Sequence, residues 1–149
     1  MSSEVYFTNM KTKRGESLLK KLEHLIIRAG LLEAIAPKDL VAIKMHFGER
    51  GNLAYVPSQY LRRVVEQVKK KGGRPFLTDA NTLYAGSRSN AVDHLETAIE
   101  NGFDYSVVGA PLVIADGLNG KDYVSVPVNL KHFREVKIEI GRASCRERV

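Results

Sequence analysis

Two short stretches concentrate side chains that could do chemistry. The first is His46-Phe47-Gly48-Glu49-Arg50-Gly51-Asn52; the second is Asp79-Ala80-Asn81-Thr82-Leu83-Tyr84-Ala85-Gly86-Ser87-Arg88, continuing to Asn90 and Asp93-His94. His46 can act as a general base, a metal ligand or a donor to an anion. With the carboxylates of Glu49 and Asp79 it offers a nitrogen and oxygen donor set for a divalent metal. Asn81, Thr82, Tyr84, Arg88, Asn90 and His94 surround the start of an expected helix, where free N–H groups and the helix dipole favour an anion. Arg88 could clamp a carboxylate or phosphate with two parallel bonds. Each residue also has a plainer reading. Asp79 can cap a turn, Glu49 can pair with Arg50, His46 can simply be hydrogen-bonded, and Ser89 or Asn90 is an ordinary helix cap. His94, one turn into the helix, faces the loop or the helix surface with equal ease.

Strands and helices must bring these loops together. Glu4 to Thr8 is rich in strand formers and reads as a strand, followed by a polar loop with Asn9, Lys11 and Lys13. Leu18, Leu22, Leu25, Ile26 and Ala29 recur at helical spacing and stop at Gly30. Leu40 to Met45 is a mostly apolar run of strand length. Pro57 suits the first turn of a helix whose inner face is Leu61, Val64, Val65 and Val68 and which ends at Gly72-Gly73. Pro75 to Thr78 predicts a third strand, Val92 to Ile99 a third helix, and Tyr105 to Val108 a fourth strand. The alternation β-α-β-α-β-α-β predicts an α/β fold with a mainly parallel sheet and flanking helices. Beyond Pro111, Leu112 to Ala115 and Tyr123 to Val128 read as an antiparallel excursion, and Phe133 to Ile138 as the start of a strand cut short. In such sheets ligands bind outside the carboxyl ends of the strands. The three loops therefore share one rim.

Composition narrows the functions. At 149 residues the chain suffices for one domain with a real core. Its net charge of +6 lies in short clusters, Lys20-Lys21, Arg62-Arg63 and Lys69-Lys70-Lys71, each on the polar side or at the end of a helix. They read as solvated faces, so no nucleic-acid partner is expected, and no apolar run approaches the roughly 20 residues that span a bilayer, so no membrane is expected either. The start of the chain lacks the basic and apolar regions of a signal peptide, which predicts a cytoplasmic address. The single cysteine, Cys145, precludes an internal disulfide and a cysteine-rich metal site. Gly48, Gly51 and Gly86 do not form a Walker or dinucleotide pattern. His24 and His132 are assigned no role.

The stretch Ile140 to Val149 has no apolar period and reads as the translation of a common sequencing adapter, whose stop would follow Val149. Glu139 can share that origin. The chain is therefore expected to comprise an α/β domain fragment over residues 1–138 and a non-native tail over residues 139–149.

The strings Ile43-Lys44-Met45-His46-Phe47-Gly48-Glu49 and Leu77-Thr78-Asp79-Ala80-Asn81-Thr82-Leu83-Tyr84 resemble the uncharacterised iron–sulfur-centre proteins of domain of unknown function 362. So do Gly86, Arg88, Asn90, Asp93-His94-Leu95, Ile114-Ala115-Asp116-Gly117-Leu118 and Asp122-Tyr123-Val124. The resemblance runs from Glu4 to Ile138. It implies that the chain is the N-terminal portion of a longer protein, continued by more α/β structure and a ferredoxin-like segment with [4Fe–4S] clusters. Any oxidoreductase activity would then need the whole protein, with this region binding a small, unidentified anionic ligand and itself holding no cluster. The alternative is a non-redox metal- or anion-binding α/β module. The resemblance supplies no catalytic residues.

Overall fold

The computed structural model describes residues 4–141. Helix α1, Leu18–Arg28, starts where the Ser17 hydroxyl accepts the Lys20 N–H at 3.2 Å. Strand β1 is Leu40–Lys44 and helix α2 is Ser58–Lys70. Strand β2 is Arg74–Asp79, helix α3 is Ala91–Glu100, the short helix α4 is Tyr105–Val108, and strand β3 is Leu112–Ile114. Strands β4, Tyr123–Pro127, and β5, Glu135–Glu139, complete the order.

The expected α/β architecture is present. Strands β1, β2 and β3 form a parallel sheet in that order, with Ile43 beside Leu77 and Leu77 beside Leu112. Strands β4 and β5 form a separate antiparallel pair, with Ser125 opposite Lys137. Consecutive strands are sheet neighbours, so crossovers of one hand carry their helices to one face. That face holds Val41, Ile43, Leu77, Leu112 and Ile114 and packs on all four helices. Its main cluster joins Met45, Phe47, Leu61, Val65, Leu77, Ala98, Phe103 and Val108. A smaller one joins Ile26 and Leu32 to Val68. Ala42, Phe76 and Val113 alternate onto the other face and belong to neither cluster.

Three local expectations change. Tyr105 to Val108 is a helical turn, not a strand. The Asp104 carboxylate accepts the Ser106 N–H at 2.7 Å, and Gly109 closes the turn at φ 76°. That punctuation overrides the strand preference of two valines. The strand comes later, and Leu112–Ile114 pairs parallel with β2 instead of turning back on residues 123–128, whose actual partner is β5. Glu4 to Thr8 lies in no ladder. Glu139 is part of β5, and Ile140 and Gly141 donate backbone bonds of 3.0 and 2.8 Å to Asp122 and Ala115. The remainder of the expected non-native tail lies outside the described residues.

Candidate functional site at the carboxyl rim of the sheet

The rim is built from three strand ends. Lys44 ends β1, Asp79 ends β2, and Asp116 follows β3 by two residues. In parity with Leu77, Asp79 lies on the helix-covered side and is almost fully buried. Its carboxylate meets Lys44 Nζ at 3.0 Å, Arg88 Nη1 at 3.2 Å and the Ala80 N–H at 2.9 Å. His94 Nε2 stands 3.6 Å away. Burial pushes the Asp79 pKa up, but His94, Lys44 and the Ala80 N–H outweigh it and hold the group down at about 2. The His94 distance exceeds a hydrogen bond, so the two shorter donors carry most of that effect.

Arg88 is only 4% exposed although its charge is permanent. Its guanidinium spans both loops. It bonds Asp79 through Nη1, Glu49 through Nε at 2.8 Å and also through Nη2, and the Tyr84 hydroxyl at 2.9 Å. Tyr84 donates to the same Glu49 oxygen at 2.5 Å, and Ser87 reaches the other at 3.3 Å. Arg88, followed by Tyr84, lowers the Glu49 pKa to about 2. Glu49 thus pairs with Arg88, while the adjacent Arg50 pairs with Glu100 at 2.7 Å. The expected anion clamp is already occupied by two carboxylates of its own chain.

The α3 N-terminus is equally satisfied. Asn90 Oδ1 accepts the Val92 and Asp93 N–H groups, each at 3.1 Å. The Ala91 N–H goes to the Leu118 carbonyl at 2.9 Å and the His94 N–H to the Asn90 carbonyl at 3.0 Å. No donor of that first turn remains for an anion. Asp93 accepts the Asn90 amide at 2.7 Å, whereas His94 turns inward and is fully buried. The His94 ring meets Phe47 edge-on at 5.7 Å and Asn81 Oδ1 at 3.4 Å, leaving Nε2 without a hydrogen bond. Thr82 organises its own loop, its hydroxyl donating to the Tyr84 carbonyl at 3.0 Å and its N–H to the Arg88 carbonyl at 2.9 Å.

Asp116 was not among the residues singled out by chemistry, yet it fastens the third loop. It accepts the Asn81 backbone N–H at 2.9 Å and its side-chain amide at 3.1 Å, while that amide also donates to the Gly117 carbonyl at 2.8 Å. Its signal was positional, a second carboxylate just past a parallel strand. Lys44 escaped notice because it closes an apolar run and reads as part of the strand.

His46 stands apart from this network. It is exposed, and its Nδ1 accepts the Gly48 N–H at 2.9 Å, while Glu49 and Asp79 both turn to Arg88. The structure does not bring His46, Glu49 and Asp79 together as a ligand set. Among the described residues no group of three or more His, Cys, Asp or Glu could hold a metal ion. Gly48 makes the separation possible. At φ 84° it takes a left-handed turn, and a Cβ there would lie 2.5 Å from the Tyr55 ring. His46 and Lys44 instead line a cleft of about 860 Å³ whose other walls include Leu22, Tyr55, Val56 and Tyr60. Its described lining contains no acidic residue.

Domain of unknown function 362 (DUF362) matches residues 41–145, from β1 through both sheets. The chain belongs to the DUF362 family. No curated protein and no solved structure matches it. The family match includes the carboxyl ends of β1, β2 and β3 and the loops that follow them, so the Glu49–Arg88–Asp79 network lies wholly within it. The residues of this DUF362 chain do not fit a [4Fe–4S] cluster. Such a cluster usually takes four thiolates, and the chain has one cysteine, Cys145. Among the described residues no helix is long and apolar enough to cross a membrane.

Proposed function

We propose that this chain is the N-terminal α/β part of a longer iron–sulfur redox protein, and that it binds a small anionic ligand at the end of β1. The carrying observation for the ligand is the cleft in which Lys44 and His46 stand among apolar and aromatic walls. Ligand pockets commonly combine such walls with a few convergent polar groups. The Lys44 side chain is 52% exposed, so an incoming carboxylate or phosphate can take its ammonium in exchange for Asp79. His46 Nδ1 is committed to the Gly48 N–H, which orients Nε2 as the ring's remaining donor. In this reading Glu49, Asp79, Arg88, Asn90, His94, Asn81, Thr82 and Tyr84 position the rim and do not touch the ligand. The redox role rests on the sequence resemblance alone, with cluster-binding cysteines lying beyond this chain.

Titration calorimetry of the full chain against inorganic phosphate and small monocarboxylates tests the ligand reading. Saturable binding should weaken at least about tenfold in Lys44→Met and in His46→Ala, a loss of about 1.4 kcal/mol. No binding by the parent, or equal binding by both variants, would overturn it. Resequencing the source DNA across the codon for Ile138, then seeking cluster-type cysteines in the continuing frame, tests the redox reading. A native frame encoding the Ile140 to Val149 tail, with no such cysteines, would refute it.

A further inference from the structure

We infer that the cleft at the end of β1 takes a monocarboxylate with an extended apolar body, of the chemistry of a medium-chain alkanoate, rather than a bare inorganic anion. This rests on the anion reading of the cleft and adds the class of ligand. Walls, volume and charge each point to it.

The walls lie where the two core clusters meet. Leu22 and Val64 pack against the smaller cluster, Met45 and Leu61 belong to the main one, and the Tyr55 and Tyr60 rings pack against it. Met45 and Leu61 are buried, so the inner wall is apolar to its base. The outer wall stays apolar where it meets water, since Met10 and Val56 line the cleft while 71% and 53% exposed. Exposed apolar side chains scattered singly are ordinary, whereas a contiguous set on a concave surface marks a binding groove. Met10 and Met45 add unbranched, flexible thioethers that can mould themselves to a hydrocarbon chain.

At about 860 Å³ the cleft has the size of a site for an organic molecule. A phosphate or an acetate would fill a small part of it and leave the walls in water. Charge sets the other end of the ligand. Lys44 and His46 are the two cationic or potentially cationic side chains of the described lining, and no acid joins them. His46 Nδ1 accepts the Gly48 N–H at 2.9 Å, so the proton of the neutral ring sits on Nε2. Lys44 Nζ already meets the Asp79 carboxylate at 3.0 Å, so part of its charge is answered. One ammonium and one ring N–H match the two oxygens and single charge of a carboxylate. A phosphate brings more charge toward Asp79 and spare oxygens against largely apolar walls, where unpaired acceptors are costly. The carboxylate therefore belongs at Lys44 and His46, with the apolar body along Leu22, Val64 and Tyr60.

Titration calorimetry of the full chain with butanoate, hexanoate, octanoate and inorganic phosphate tests this. Each two-carbon step should tighten binding about tenfold, as two methylenes leave water, and octanoate should bind at least about tenfold tighter than phosphate. Met10→Asp and Val56→Asp change exposed positions, where the fold tolerates a charge, and each should weaken octanoate more than butanoate. Equal affinity along the series, or phosphate binding as tightly as octanoate, overturns the ligand class while leaving the anion reading in place. A chain-length gain that survives both aspartate variants also overturns it, because the apolar body then lies elsewhere. Octanoate binding that Lys44→Met and His46→Ala leave unchanged overturns the anion reading itself, and so does failure of all four compounds to bind.

Discussion

Around Arg88, the rim holds two carboxylates, Asp79 from the end of β2 and Glu49 from the loop after β1, bonded to that one guanidinium and largely withdrawn from water. After β1, a few residues away, Lys44 and His46 stand at an open cleft with apolar walls. Both regions carry charge at the carboxyl end of a parallel strand, where ligands are expected, yet the difference is one of occupancy. The charges around Arg88 satisfy each other and lock the loops. At the end of β1, Lys44 bonds Asp79 at 3.0 Å but stays half exposed, and His46 beside it faces the cleft. A count of ionisable residues would have ranked the closed region first. The partner of each group reverses that ranking.

Arg88→Met should break the closed region hardest. It removes one of two cations from buried Asp79, leaving Lys44 and the Ala80 N–H, and releases Glu49, for an expected loss of about 3 kcal/mol in urea unfolding. If the two regions are separate, any ligand affinity of the cleft should survive in the folded fraction. Acid should act on the same region. Glu49 and Asp79 both fall to about 2 in the folded chain, from ordinary values of 4.5 and 3.8. A depressed carboxylate contributes stability that is fully present above its unfolded pKa and lost as pH falls through the folded one. Stability should therefore drop between about pH 4.5 and pH 2, by about 3 kcal/mol for the pair after discounting Glu49 for its solvent contact. Unfolding midpoints across that window measure it, and Asp79→Asn should flatten the slope.

Smaller changes sharpen the contrast. Gly48→Ala forces an unfavourable left-handed backbone and a clash with Tyr55, at about 2 kcal/mol. It should disturb both regions together, visible as lower thermal stability and weaker anion binding. Asn90→Ala uncaps α3 and should cost about 1 kcal/mol in the closed region, leaving cleft affinity unchanged by calorimetry.

Much of the frame was legible because its signals are local and repeated. Leu61, Val64, Val65 and Val68 mark the inner face of α2, and Asn90 marks the start of α3. That His46 and Asp79 share a rim followed from strand alternation alone. Pairing choices were not legible. Glu49 selects Arg88, thirty-nine positions away, over the adjacent Arg50, because only the folded sheet brings the two loops together. Tyr105 to Val108 misled because β-branched residues suggest a strand, whereas the Asp104 cap and Gly109 stop decide it. The grouping of all four helices on one face depends on the order of the strands, which periodicity does not encode.

Gly48 sits between a residue of the cleft and a residue of the lock. By bending the chain against Tyr55 where no side chain would fit, it lets neighbours in sequence serve different masters in space. A side chain at position 48 would therefore have to push Tyr55 aside, and the residues on either side of the turn would lose their separate settings together.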